Sequence, residues 1–166
     1  MTEGSETTGP EIVGHLQGQG RRFALVASRF NELVTERLVE GARDCLLRHG
    51  VEPGDVRTIR VPGAWELPQA VKRVVDARGE DAVVALGCVI RGATPHFDHV
   101  AGQAVAGLGA LARDSRIPVV LGVLTTDTVE QALERAGVKA GNKGWEAAEG
   151  ALEMADLFHR LEAGGR

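Results

Sequence analysis

Tyrosine is absent from this chain, and with four Phe and two Trp among 166 residues the aromatic share is only 4%. A core must therefore be built from Ala, Val and Leu, and each ring calls for an explanation. The two cysteines, Cys45 and Cys88, lack CxxC spacing, which argues against a disulfide framework or a metal site and reads as two small buried hydrophobes in a reducing cytoplasm. No apolar run approaches the ~20 residues of a bilayer span, and Met1 to Pro10 is polar and acidic rather than basic then apolar. Neither a membrane span nor an export signal is expected. Basic excess is missing too: 19 Lys and Arg against 23 Asp and Glu leave a net charge of −4. That balance disfavours nucleic acid or an anionic membrane as principal partner and leaves a small ligand as the default.

What is abundant is glycine, 22 residues, roughly double the usual share, so tight turns and close backbone approaches are expected. The length suits one domain burying about 70% of its unfolded surface, set over residues 11–166 behind a disordered tail at 1–10. After a weak extended segment from Glu11 to Gly18, β-type apolar runs alternate with segments of helical period. Strands are expected at Phe23 to Ala27, Val56 to Val61, Asp81 to Ile90 and Ile117 to Leu124. Helices are expected from Glu32 to His49, Trp65 to Arg78, Phe97 to Asp114 and Asp127 to Ala136, with a last one ending near Leu161. Asp127 with Glu130 resembles a capping box. This order predicts a doubly wound, flavodoxin-like α/β fold: a four-stranded parallel sheet with helices on both faces, plus the N-terminal extended segment.

Ligands of such sheets bind beyond the carboxyl ends of the strands, so the strand-to-helix loops are the places to look. Gly92, Ala93 and Thr94 bring small side chains and free N–H groups to a helix N-terminus, where an anion such as phosphate is favoured. His96 follows two residues later and could move protons near neutral pH, although a capping or surface histidine has the same spacing. Asp98 either orients it or favours the helix N-terminus, and His99, His49, His15 and His159 read as structural or solvated. Phe30 and Asn31 combine an apolar plate with an amide, suited to a flat heterocycle, and equally fit a core Phe and a helix cap. Trp65 and Glu66 add a ring and a carboxylate, the latter also suited to complementing a helix dipole. Arg135, Lys139 and Lys143 form a cationic cluster that also fits a solvated face.

Taken together, Arg29 to Asn31, Val61-Pro-Gly-Ala-Trp-Glu-Leu-Pro68, Gly87-Cys-Val-Ile-Arg-Gly-Ala-Thr-Pro-His-Phe-Asp98, Thr125-Thr126 and Glu134-Arg-Ala-Gly-Val-Lys-Ala-Gly-Asn-Lys-Gly144 strongly resemble the 6,7-dimethyl-8-ribityllumazine synthase family. The resemblance covers about Phe23 to Leu157 and implies the penultimate step of riboflavin synthesis. In that step 5-amino-6-(D-ribitylamino)uracil condenses with 3,4-dihydroxy-2-butanone 4-phosphate to give the lumazine, phosphate and water, with no cofactor or metal. It implies that Phe30 stacks on the pyrimidine, with Trp65 beside it, while Asn31, Ala64, Glu66 and the backbone of Val89 and Ile90 hold the polar edge and ribityl chain. Ala93, Thr94 and Arg135 would hold the phosphate, and His96 would shuttle protons.

The resemblance further implies a homo-oligomer whose sites lie between adjacent subunits of a pentamer, with Arg135 and Lys143 reaching in from the neighbour. The linker Lys139 to Gly144 lacks the extra residues found in members that stay pentameric, so a pentamer, or a closed icosahedral shell of twelve pentamers, is expected, with riboflavin synthase as a candidate partner; Gly141 and Gly144 equally fit caps of the neighbouring helices. Leu121 stands where many members carry a ring-packing Phe, His99 where Tyr is common, and Trp65 where Phe is common. A receiver domain would need acidic residues where Ala27 to Phe30 and Val89 to Gly92 stand. A flavodoxin would need a Ser/Thr/Gly-rich phosphate loop after the first strand. The competing function is a weakly active or non-catalytic paralogue that binds lumazine or flavin, or only forms a shell.

Overall fold

All four apolar runs pair in one parallel sheet of order β2-β1-β3-β4. The computed structural model describes residues 9–164, with β1 at Phe23–Ser28, β2 at Val56–Val61, β3 at Ala82–Ile90 and β4 at Val119–Thr126. Between and after them lie α1 (Glu32–Arg48), α2 (Leu67–Ala77), α3 (His96–Asp114), α4 (Val129–Leu133) and α5 (Lys143–Gly164). Side-chain alternation along β1 sends Phe23, Leu25 and Ala27 into a core shared with α1 and α5, and Ala24 and Val26 into one shared with α2 and α3. Helices therefore cover both faces, and β1 and nearly all of β3 are buried, as central parallel strands must be. The doubly wound α/β expectation holds.

Several boundaries differ for identifiable reasons. β4 starts at Val119 because Pro118 has no N–H to donate, and it continues through Thr125 and Thr126, β-formers that an apolar run does not count. A short 3-10 turn over Ala64–Glu66 precedes α2. The capping pair before α4 is shifted by one residue from the expected Asp127 and Glu130: the Thr128 hydroxyl accepts from Gln131 N–H at 3.1 Å, and Gln131 Oε1 accepts from Asp127 N–H at 2.9 Å. Beyond α4 the chain makes a π turn over Glu134–Val138, with Gly137 at φ 96°. Among the described residues, the segment 11–18 joins no sheet. Residues 1–8 of the tail expected at 1–10 lie outside the described residues. Among the described residues, no helix is long and apolar enough to cross a membrane. Both cysteines are free and buried, and burial raises the thiol of Cys45 to about 12 and that of Cys88 to about 11, so neither is a nucleophile at neutral pH.

Asn142 fixes the approach of α5. Its Nδ2 donates to Arg37 O at 2.9 Å and Ala136 O at 3.0 Å, while its Oδ1 accepts from Gly144 N–H at 2.8 Å and Trp145 N–H at 3.1 Å. One side chain thus caps α5 and ties it to α1 and to the π turn.

At the other end of α5, Asp156 anchors the N-terminal segment. Its buried carboxylate accepts from Arg21 at 2.8 Å, Arg160 at 2.6 Å and the His15 N–H at 2.8 Å. Burial alone would raise its pKa, but the hydrogen bonds from Arg160 and His15 and the charges of Arg160 and Arg21 outweigh it, and the net shift is downward. A depressed folded-state pKa contributes stability that is present above the ordinary aspartate range and lost as pH falls through the folded value. Asp156→Asn is therefore expected to flatten the acid limb of the stability curve below about pH 4. Urea midpoints compared across pH check this, and an unchanged acid limb would remove Asp156 from the linkage.

Candidate active site

The sheet order reverses direction between β1 and β3, and the crevice outside the carboxyl ends of these strands is where a doubly wound sheet opens. A cleft of about 640 Å³ lies there, walled by the loops after β1, β2 and β3 and by the start of α3. Phe30 and Asn31 come from the first loop, Ala64, Trp65 and Glu66 from the second, Val89, Ile90 and Thr94 from β3 and the loop beyond it, and His96 from the first residue of α3. Ala93 lies in the same loop as Thr94 but does not line the cleft.

Phe30 is 71% exposed and Trp65 56% exposed, so neither ring is a core residue. Asn31 occupies the position before α1 but makes no side-chain cap. Its backbone is left-handed at φ 62°, a conformation Asn tolerates better than most residues, and its Nδ2 donates to Cys88 O at 2.8 Å. That bond ties the β1 loop to β3 across the crevice. Glu66 Oε2 accepts from the Gly63 N–H at 3.0 Å, which fixes the carboxylate at the cleft wall. Polar groups held in place around exposed rings form a slot suited to a flat molecule with a hydrogen-bonding edge.

Asp98 accepts from Arg91 Nη1 at 3.4 Å and, among the described residues, makes no hydrogen bond to His96, so its orienting role is not what the geometry provides. His99, read from sequence as structural or solvated, lines the same cleft together with Phe97 and Val100. The signal for it was the i, i+3 spacing from His96, which puts both imidazoles on one helical face.

Leu121, Arg135 and Lys143 are not in the cleft. They line a second depression of about 440 Å³ on the outer side of edge strand β4, with Val123, Thr125 and Glu146. Leu121 is 49% exposed there, Arg135 donates to Gln131 O at 3.4 Å, and Lys143 Nζ pairs with Glu146 at 2.6 Å. Glu146 was missed in the sequence, although its i, i+3 spacing from Lys143 is legible. Among the described residues, no lysine or arginine lines the cleft itself.

A family model described as 6,7-dimethyl-8-ribityllumazine synthase matches residues 20–159. A protein of that name from Aquifex aeolicus (strain VF5) is 53% identical over 148 residues, 89% of this chain and 96% of the relative. Another, from Chlorobium phaeobacteroides (strain DSM 266 / SMG 266 / 2430), is 53% identical over 151 residues, 91% of this chain and 97% of its own length. With the match spanning the sheet, the cleft loops and the β4 depression alike, the chain belongs to the 6,7-dimethyl-8-ribityllumazine synthase family.

Proposed function

We propose that this protein condenses 5-amino-6-(D-ribitylamino)uracil with 3,4-dihydroxy-2-butanone 4-phosphate, giving 6,7-dimethyl-8-ribityllumazine, phosphate and water. The observation that carries the reading is the composition of the cleft: exposed rings, a fixed amide and carboxylate, an N–H-rich loop and a histidine, all at one switch point. The amine of one substrate attacks the ketone of the other, and imine formation, phosphate elimination and ring closure need no covalent enzyme intermediate. Holding the two molecules together is the main task. Phe30 and Trp65 provide the stacking surface, and Asn31, Ala64, Glu66 and the backbone of Val89 and Ile90 hold the polar edge and ribityl chain. Ala93 and Thr94 receive the phosphate at the N-terminus of α3, and His96 relays protons.

A phosphate in this cleft meets backbone N–H groups and imidazoles but, among the described residues, no Lys or Arg of the same chain. The missing cation is available on the β4 side, where Arg135 and Lys143 stand beside Leu121. A neighbouring copy that seats this surface against the cleft completes the site. We therefore assign a homo-oligomer whose sites are completed by neighbouring copies; family membership supports a pentamer, or twelve pentamers in a closed shell, with residues 11–166 as one domain, a cytoplasmic location and riboflavin synthase as the enzyme that takes up the product.

The test mixes the purified protein with both substrates and follows lumazine fluorescence against the uncatalysed condensation. A rate equal to the uncatalysed one would favour the non-catalytic paralogue. His96→Ala is expected to fold and to lose no more than ~10²-fold in rate, the low end of general acid–base effects, because positioning carries most of the acceleration. Unchanged kinetics for both substrates would remove His96 from the mechanism.

A further inference from the structure

Between β3 and α3 the loop Gly92 to Pro95 has little of its own to hold it. A β-carbon at Gly92 would meet nothing within 4 Å, and among the described residues the loop's one hydrogen bond beyond regular structure is from Asp98 N–H to Pro95 O, at 3.1 Å. The residues on either side of it are bound to each other instead. Arg91, just before the loop, lays its guanidinium 4.5 Å from the ring centre of Phe97, just after it, and donates to Asp98 at 3.4 Å. The same guanidinium donates through Nε to Asp127 at 2.8 Å, beyond the end of β4, and the Arg91 N–H donates to Thr126 O at 2.8 Å. Three chain segments thus meet on one planar cation, whose fork and flat face allow simultaneous ion pairing and stacking.

We propose that Arg91 is a positioning residue that staples the two ends of the Gly92 to Pro95 loop together and fastens them to β4, holding the loop's N–H groups ready for the phosphate-bearing substrate. This rests on the proposed reaction. Arg91 itself does not line the cleft, and with Asp98 and Asp127 it makes a group of net charge −1, so it adds no attractive charge for an anion. Its contribution is geometric.

Charge and geometry predict opposite signs for one substitution, and that makes the test sharp. Asp127→Asn removes a negative charge near the phosphate loop; if only the local field mattered, the KM for the butanone phosphate would fall. If the staple matters, that KM rises, by about tenfold, as expected when a positioned group is loosened. Arg91→Gln should do the same, with the KM for the pyrimidine unchanged and the thermal midpoint barely moved, since exposed ion pairs contribute little to global stability. The double variant should be no worse than either single one, because both break one unit. Arg91→Lys should not rescue, since an ammonium cannot bridge two carboxylates while stacking flat.

Amide hydrogen exchange of the full-length protein at positions 91 and 98, whose N–H groups are bonded to Thr126 O and Pro95 O on either side of the loop, gives a readout independent of turnover, and faster exchange is expected in Asp127→Asn and Arg91→Gln. A lowered KM in Asp127→Asn, or unchanged exchange in both variants, would overturn the proposal. So would an Arg91→Gln effect that Asp127→Asn does not share, which would place Arg91 on the phosphate itself. A wild-type protein that fails to accelerate the condensation removes the reaction, and the exchange comparison still decides the role of Arg91.

Discussion

Alanine in place of Gly144 is expected to destabilise the fold by about 3 kcal/mol, the upper end of the usual cost of overpacking. Gly144 is buried on the first turn of α5, where a β-carbon would lie 2.7 Å from the carbonyl carbon and 2.8 Å from the Cα of Leu38 in α1. These are backbone atoms inside a helix, so no rotamer change can clear them. Separating the helices would also disturb the capping bonds that Asn142 Oδ1 accepts from the Gly144 and Trp145 N–H groups. The same helix supplies a control. At Gly150 a β-carbon would meet only Val120 Cγ1 at 3.7 Å, an ordinary contact, so Gly150→Ala should stabilise by up to about 1 kcal/mol through helix propensity. Urea titrations at one fixed protein concentration compare them. Equal midpoints for the two variants would show that the α1–α5 contact yields easily.

The second large effect is on activity. Glu66→Ala and Arg135→Ala are each expected to be nearly inactive, because one removes a fixed acceptor from the cleft and the other the cation presented from the β4 side. If the site is completed by a neighbour, the two defects lie on different chains. Randomly co-assembled at equal amounts, half the cleft-bearing copies keep Glu66 and half of their neighbours keep Arg135, so about a quarter of the sites in a closed ring should be intact. Activity should return to about that fraction, and sedimentation should show the mixed oligomer. Mixed rings without recovered activity would place the site within one chain, and a stable monomer would end the argument altogether.

Topology was legible in the sequence because each βα unit carries its own period and its own stop, such as Gly50 after α1 and Gly79 after α2. The cleft followed from topology, since only loops at the carboxyl ends of β1, β2 and β3 can reach the switch point. Less legible was anything requiring distant segments. The Arg91 contacts join the ends of β3, α3 and β4, and nothing in the spacing of Asp98 distinguishes a partner in Arg91 from one in His96. The left-handed Asn31, donating to Cys88 O instead of capping α1, is likewise a tertiary fact. The separation of Leu121, Arg135 and Lys143 from the cleft depends on β4 being an edge strand, which chain order alone does not fix. An extended segment is expected from Glu11 to Gly18, yet among the described residues no strand edge receives it.

The missing tyrosines have an optical consequence. The near-ultraviolet band that Tyr and Trp usually share, and the intrinsic emission of the protein, belong to two indoles in different settings. Trp145 is half-buried with its ring edge-on to His49 at 6.1 Å, whereas Trp65 is 56% exposed at the mouth of the cleft. With Trp145 replaced by Phe, the chain becomes a single-emitter protein whose fluorophore stands at the mouth of the cleft. A lumazine, absorbing where indole emits, would then quench it by energy transfer, and the dissociation constant of a spent product could be read without any added label.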